Sequence, residues 1–178
     1  GVARSAQDTG NLGYKLALDG GITVSVEAAR NTSAGGTDNT YGVTYTGIDG
    51  MTLAAGTGMT ATGGTAEVES TTFGVKYATG GFTFGLQLTD VETEGSTEDE
   101  DGVHMGVTYN VNDDFTVGYV RQETDFSGNS SDEEHSGIQA SYSMGSISFS
   151  GRISKVDNMG GSASASDEDK HITMSIAF

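Results

Sequence analysis

The end of the chain alternates strictly between apolar and polar side chains, and this pattern limits the possible folds more than any other feature. Within residues 171–178, the side chains of Ile172, Met174, Ile176 and Phe178 point to one side and the His, Thr, Ser and Ala side chains to the other. Successive side chains of a β-strand point to opposite faces, so the two faces of this strand meet different surroundings. The same alternation puts all but one of the seven Tyr and seven Phe side chains on the apolar face.

Two fold classes share this alternation and differ in what the apolar face contacts. A soluble sandwich buries that face in a core, whereas a membrane barrel turns it toward lipid and lines its interior with polar residues. No apolar run approaches the roughly 20 residues that a membrane-spanning helix needs. The formal net charge of −17 argues against a nucleic-acid partner. The chain has no Cys, so no disulfide framework holds the fold.

Eleven segments have the alternation of β-strands and are separated by turn residues. We predict one all-β domain over residues 1–178, with antiparallel strands that follow one another in chain order. The predicted strands are Leu12–Leu18, Ile22–Ala29, Thr40–Ile48, Met51–Met59, Thr71–Ala78, Phe82–Thr89, Gly102–Val111, Phe115–Gln122, Gly137–Met144, Ile147–Lys155 and His171–Phe178.

The predicted connections alternate between short turns and long, acidic, hydroxyl-rich loops. Gly, Asn and Asp in the short turns allow the positive φ angles of tight hairpins. Short turns on one rim and long loops on the other are typical of an outer-membrane barrel. The short turns are 19–21, 49–50, 79–81, 112–114 and 145–146, and the long loops are 30–39, 60–70, 90–101, 123–136 and 156–170. Aromatic residues cluster beside the short turns, where an interfacial girdle would lie; they are Tyr77, Phe82, Tyr109, Phe115, Tyr142, Phe149 and Phe178.

The terminal pattern and three repeated segments, 41–45, 73–77 and 105–109, resemble the strands of Gram-negative outer-membrane general porins of the alphaproteobacterial type. The resemblance implies a transmembrane β-barrel in the outer membrane that forms a water-filled channel for passive diffusion of small hydrophilic solutes and ions. It also implies a homotrimer with no required cofactor, embedded in membrane lipid and lipopolysaccharide. Ile172, Met174, Ile176 and Phe178 resemble the signal that the outer-membrane assembly machinery reads.

Porins of this family resemble sixteen-stranded barrels, whereas this chain shows eleven predicted strands. Counted back from the end, Leu12–Leu18 would be the sixth strand, and residues 1–11 the tail of the loop that folds inward to narrow the pore. On this interpretation the chain is the C-terminal part of a longer porin. The alternative is that Val2–Gln7 forms a first strand, which would complete a small twelve-stranded barrel.

Six charged or titratable residues are predicted on the polar face, which would line the pore. A Lys or Arg on the lipid face at the membrane centre would cost about 2–4 kcal/mol, so inward placement follows from the fold. The six are Lys15, Glu27, Lys76, His104, Arg152 and His171. The resemblance adds Arg4, which with Lys15 would form a basic wall facing the inward loop. The alternative is that all seven are simply hydrated side chains of the interior.

Acidic clusters in the long loops suit weak binding of Ca²⁺ or Mg²⁺, since both ions prefer oxygen ligands. The alternative is a hydrated, repulsive outer surface. The candidate ligands are Glu98, Asp99, Glu100, Asp101, Asp132, Glu133 and Glu134. Arg30 and Arg121 face outward at the loop ends of their strands, where they would reach lipopolysaccharide phosphates or be turned by a bulge.

Other functions remain open at this point. The chain has no recognisable catalytic motif, which argues against an enzyme. A secreted or surface β-sandwich, acting as an adhesin or lectin-like module with Ca²⁺-binding acidic loops, would share the strand pattern. A small structural barrel with a plugged interior is a third possibility, but the polar face is mostly Gly, Ser, Thr and Ala, which leaves room for water.

Overall fold

A computed structural model of the protein describes residues 11–31, 36–62, 67–96, 99–129 and 131–176. All eleven strands lie in one sheet, in chain order from the first to the last. They are β1 (Asn11–Leu18), β2 (Ile22–Asn31), β3 (Gly36–Tyr45), β4 (Met51–Ala61), β5 (Glu67–Thr79), β6 (Phe82–Thr93), β7 (Glu100–Asn110), β8 (Phe115–Phe126), β9 (Glu133–Met144), β10 (Ile147–Asp157) and β11 (Ser166–Ile176). A 3-10 turn, η1 (Met159–Gly161), lies between the last two strands.

The predicted fold class is confirmed, since every predicted strand is present in an up-and-down antiparallel arrangement. The third strand was predicted wrongly as Thr40–Ile48, and it ends at Tyr45. Tyr45 pairs with Ile22, the first residue of β2, so no strand partner remains beyond it. The backbone turns instead, with Thr46 N donating to Gly21 O at 2.8 Å and Met51 N donating to Ile48 O at 3.0 Å.

The predicted contrast between short turns and long loops is weaker than expected. Most strands run further into the acidic segments, so that β10 and β11 still pair at Asp157 and Ser166. The connection 46–50 is as long as the connection 62–66 on the other rim, so the alternation is not strict. Backbone N–H and C=O groups pair whatever the side chains are, and polar side chains therefore did not mark the strand ends.

The chain divides into two compact units whose sequences interleave. The first comprises the described residues of 1–75 and 88–101, and the second 76–87 and 102–178. In the first unit, β1 to β4 form consecutive antiparallel pairs in which Tyr14 lies opposite Val26 and Val26 opposite Tyr41. The prediction of a single domain over the whole chain stays a prediction.

The described residues contain almost no buried core. Val156, at 8% exposure, is the one buried hydrophobic residue among them. Large apolar side chains are exposed instead, with Ile172 at 86%, Leu12 at 67% and Tyr14 at 63%. Within the described ranges, no helix has the length and apolar character needed to cross a membrane. A soluble sandwich stabilises itself by burying such side chains, so this burial pattern disfavours the adhesin alternative.

Candidate functional site

The strand register of the second unit sorts the side chains of β8 to β11 into rows that run across the sheet. Residues directly opposite each other on paired strands point to the same face. On the apolar face, the row nearest the short turns is Phe115, Tyr142, Phe149 and Met174; the next is Val117, Ala140, Gly151 and Ile172; and the third is Tyr119, Ile138, Ile153 and Lys170. The predicted clustering of aromatics near the short turns is confirmed here, where the rings of Phe115 and Tyr142 lie 6.5 Å apart.

Charged side chains replace apolar ones on the same face toward the long loops. Arg121 donates from Nη2 to Glu123 and Glu134, each at 3.1 Å. Lys155 pairs with Asp157 at 2.7 Å, and Lys170 pairs with Glu168. All these side chains are solvent-accessible, so each pair contributes little stability. The sharp change from apolar to ionic rows marks one boundary of an apolar belt.

The row of small side chains leaves an apolar hollow of about 730 Å³ on this face. Val117, Ala140 and Gly151 lie between the aromatic row and the larger side chains of Tyr119 and Ile138. The rest of the lining is also largely apolar and includes Phe82, Val107, Tyr109, Ile153 and Ile172. The rings of Phe82 and Tyr109 stack with centroids 4.2 Å apart. An apolar hollow on an exposed face is suited to an apolar neighbour rather than to water.

The opposite face of the same four strands is polar. One row consists entirely of hydroxyl side chains, Thr116, Ser141, Ser150 and Thr173. The adjacent row toward the long loops is Gly118, Gln139, Arg152 and His171. A second hollow, of about 370 Å³, is lined by Thr116, Gln139, Ser141, Ser150, Arg152 and His171, together with Val117, Ala140 and Gly151 between them.

Two predicted pore-lining residues, Arg152 and His171, are directly opposite each other in this hollow. Arg152 Nη2 donates to Asp169 Oδ2 at 3.1 Å. His171 Nδ1 and the Thr173 hydroxyl are 3.1 Å apart and share a hydrogen bond. The strand register therefore brings together two residues that the sequence assigned to the same face but not to the same site.

The other predicted polar-face residues are spread over several strands. In the first unit, Lys15 on β1 lies opposite Ser25, and Glu27 on β2 accepts a hydrogen bond from Asn11 Nδ2 at 3.3 Å. In the second unit, Lys76 on β5 is exposed and His104 on β7 is half-buried. Neither belongs to the hollow beside Arg152. Arg4, Glu98 and Phe178 lie outside the described residues, as do Val2–Gln7 and most of the predicted loop tail.

The remaining residues of the predicted assembly signal face the way the sequence predicts. Ile172 pairs with Gly151, Met174 with Phe149 and Ile176 with Ile147. All three side chains are exposed on the apolar face, at 86%, 57% and 46%. Recognition of this strand by assembly machinery stays a prediction.

The connection after β10 folds back onto the connection before β9. Gly160 N donates to Glu133 Oε2 at 2.6 Å, and Glu133 Oε1 lies 2.8 Å from His135 Nε2. Asn129 Nδ2 donates to Gly160 O at 3.1 Å. Glu133 lies at the loop end of β9, beyond the apolar belt, and the Gly160 N–H holds the pKa of this carboxyl below its usual value, with His135 adding to the effect. Gly161 has φ 71° and packs so closely on Asn129 that a side chain would not fit. We call these contacts the loop clamp.

The described acidic residues do not form an evident metal site. No group of three or more His, Cys, Asp or Glu residues within the described ranges is placed to hold a metal ion. Glu133 is used by the loop clamp and Glu134 by Arg121. Weak Ca²⁺ or Mg²⁺ binding at the loops therefore stays a prediction.

Sequence reasoning missed the neutral half of the polar hollow. Gln139 and the hydroxyls of Thr116, Ser141 and Ser150 line it, but they carry no charge and resemble ordinary polar-face residues. The available signal was the coincidence of hydroxyls at the same distance from successive short turns. Reading it required the register of three strand pairs.

Several solved structures have the same fold. An anion-selective porin from Comamonas acidovorans superposes with a TM-score of 0.78 at 15% identity, over 94% of this chain and 59% of that one. A porin refined at 1.8 Å superposes with a TM-score of 0.77 at 17% identity, over 97% and 63%. A trimer form of OmpT from Vibrio cholerae gives 0.65 at 16% identity, over 93% and 64%. This chain thus spans about 60% of the length of the first two porins. No curated protein sequence matches it significantly.

An up-and-down antiparallel sheet with an exposed apolar belt on one face and a hydrated face on the other defines a membrane β-protein of the porin fold. The profile of the family described as Gram-negative porin matches residues 1–160. The chain belongs to the Gram-negative porin family, and its location is the outer membrane.

Proposed function

We propose that the protein forms a water-filled channel through which small hydrophilic solutes and ions diffuse passively across the outer membrane. The observation that carries this function is the division of β8 to β11 into two faces. One face presents apolar rows bounded by ion pairs, and the other presents hydroxyls, an amide, a guanidinium and an imidazole. Lipid solvates the first face and water the second, so the sheet separates the two media.

The polar face suits an open channel better than a plugged interior. Its hydroxyl row of Thr116, Ser141, Ser150 and Thr173 has short side chains, and the 370 Å³ hollow beside it has room for water or solute. A plugged interior would fill such space with large, mutually paired side chains. Selection would then depend on pore width and on charges such as Arg152. Such diffusion needs no enzyme activity and no energy source.

The apolar face gives the proposed partners. Lipid acyl chains would cover the apolar belt and fill its 730 Å³ hollow, and lipopolysaccharide would meet the ionic rows around Arg121 and Lys155. Divalent ions would bridge phosphates to the carboxylates of those rows. The outer-membrane assembly machinery would recognise β11 through Ile172, Met174 and Ile176. A homotrimer is the proposed assembly, and the trimer form of the structurally similar OmpT supports it.

A liposome-swelling assay tests diffusion directly. The purified protein is reconstituted into vesicles loaded with an impermeant polymer, which are then diluted into isotonic solutions of neutral sugars of increasing size. We expect swelling rates that fall steadily with solute size, because a water-filled pore sieves by width. Equal rates with and without protein, although the protein is folded and inserted, would overturn the proposal.

A further inference from the structure

The polar hollow of β8 to β11 is unusually rich in hydrogen-bond donors. Its lining has a guanidinium, a side-chain amide, an imidazole and three hydroxyls, from Arg152, Gln139, His171, Thr116, Ser141 and Ser150. Arg offers five N–H donors and no acceptor, and each hydroxyl donates as well as accepts. No carboxylate lines this hollow. Its chemistry therefore matches an oxygen-rich, negatively charged ligand.

Arg152 is held in place but keeps donors free for a ligand. Its contact with Asp169 is a single hydrogen bond from Nη2, 3.1 Å long, and its side chain is 62% exposed. Asp169 lies two residues from His171 on β11, toward the long loops, and outside the hollow lining. The pair fixes the direction of the guanidinium, while its remaining N–H groups are available to a carboxylate, which Arg binds in a bidentate manner.

The rows set the distance between the charged and the hydroxyl contacts. Gln139 and His171 flank Arg152 directly on the neighbouring strands. The hydroxyl row begins two residues further along each strand, at Ser141 and Ser150, which is about 7 Å. A ligand with a carboxylate at one end and hydroxyls a few carbons away would contact both rows. A solute that carries only one of these groups would contact one row.

From this arrangement we propose that the hollow is a subsite for small hydroxylated carboxylates, the class that includes sugar acids. The carboxylate binds Arg152, with Gln139 and His171 beside it, and the hydroxyls of the solute bind Ser141, Ser150 and Thr116. Access to the subsite through a channel rests on the function proposed above. Binding at the subsite itself does not require the channel to conduct. An amine of the same size would meet the positive charge of Arg152 and be disfavoured.

Three six-carbon solutes that differ at one end test the subsite. Sodium gluconate has a carboxylate there, sorbitol a hydroxyl and glucamine an amine. Each is titrated into the detergent-solubilised protein while NMR follows the Gln139 side-chain amide and the His171 ring. We expect saturable shifts with gluconate, at least tenfold weaker effects with sorbitol and none with glucamine. Equal shifts with gluconate and sorbitol would overturn the proposal.

Variants locate the effect. Arg152→Gln should weaken gluconate binding at least tenfold, because a charge-assisted contact is lost. Arg121→Gln is the matched control, since it makes the same change on the opposite face and should leave binding unaltered. If Arg152→Gln does not fold, Arg152→Lys gives the answer: it keeps the charge but loses the bidentate geometry, so gluconate should bind several-fold more weakly. Unchanged binding in either Arg152 variant would overturn the subsite.

Bilayer conductance of the same samples separates the two proposals. Conducting protein without gluconate binding would refute the subsite alone. Gluconate binding by a folded, inserted protein that does not conduct would refute the channel and leave the subsite standing.

Discussion

At the scale of single residues, Glu133 joins two connections on the long-loop side of the second unit. It accepts the Gly160 N–H at 2.6 Å and contacts His135 at 2.8 Å. The donor of the first bond is a backbone group of η1, so the contact restrains the backbone of the last connection. The clamp depends on one ionised carboxyl.

Acidification should therefore release the loop clamp. The pKa of Glu133 is lowered by folding, so its stabilising contribution is complete above the ordinary pKa of about 4.5 and is lost as the pH falls through the lowered value. Hydrogen exchange of the Gly160 amide should show strong protection at about pH 6 that disappears in this acidic range. Glu133→Gln should lower the protection at all pH values, because it replaces a charged acceptor with a neutral one. A pH-independent protection factor in the native protein would contradict the assignment.

The local chemistry of these residues was only partly predictable. Alternation placed Arg152 and His171 on the polar face, because period two is a property of each strand alone. Their direct opposition depends on the pairing of β10 with β11, which is set by the length of the last connection and its 3-10 turn. Glu133 was read as a possible metal ligand, and its contact with Gly160 depends on a loop conformation that no sequence pattern announced.

At the scale of elements, each strand of the second unit has one face for lipid and one for water. Ala140 and Ser141 are neighbours on β9 and show this most simply. Ala140 lies in the small-residue row of the apolar face, between Val117 and Gly151, and Ser141 lies in the hydroxyl row of the polar face. The same substitution at these two positions therefore samples two media.

Ala140→Arg should destabilise the protein in lipid by about 2–4 kcal/mol, because it puts a charge at the level of the apolar belt. The hollow beside Ala140 has space for a longer side chain, so desolvation rather than overcrowding would dominate the cost. Ser141→Arg should change the stability by about 0.5 kcal/mol or less, since water solvates the new charge. Urea unfolding from phospholipid vesicles measures both. Similar costs at the two positions would show that the faces are not assigned correctly.

The elements also show where alternation misleads. It continued past Tyr45 through Thr46 and Ile48, and the strand was therefore predicted too long. Pairing ended there because β2 begins at Ile22. At the other rim the error was reversed, since charged and hydroxylated residues were read as loop although their backbones stay paired. Strand existence follows from alternation, whereas strand ends follow from the partner.

At the scale of the whole molecule, the balance of charge and hydration supports a channel rather than a soluble module. The chain carries a net charge of −17, yet the described polar face of β8 to β11 presents Arg152 among neutral groups. Exposed apolar side chains such as Ile138, at 57%, and Met174, at 57%, are stable only against lipid or another apolar surface. The fold and the family agree with this distribution.

Single-channel recording in planar lipid bilayers tests the central claim most directly. The account predicts stable ohmic current steps when the folded protein is added, with conductance that rises with bulk salt because the pore is filled with water. A trimer would give these steps in groups of three. Complete absence of current steps from protein that is shown to be folded and inserted in the bilayer would contradict the account.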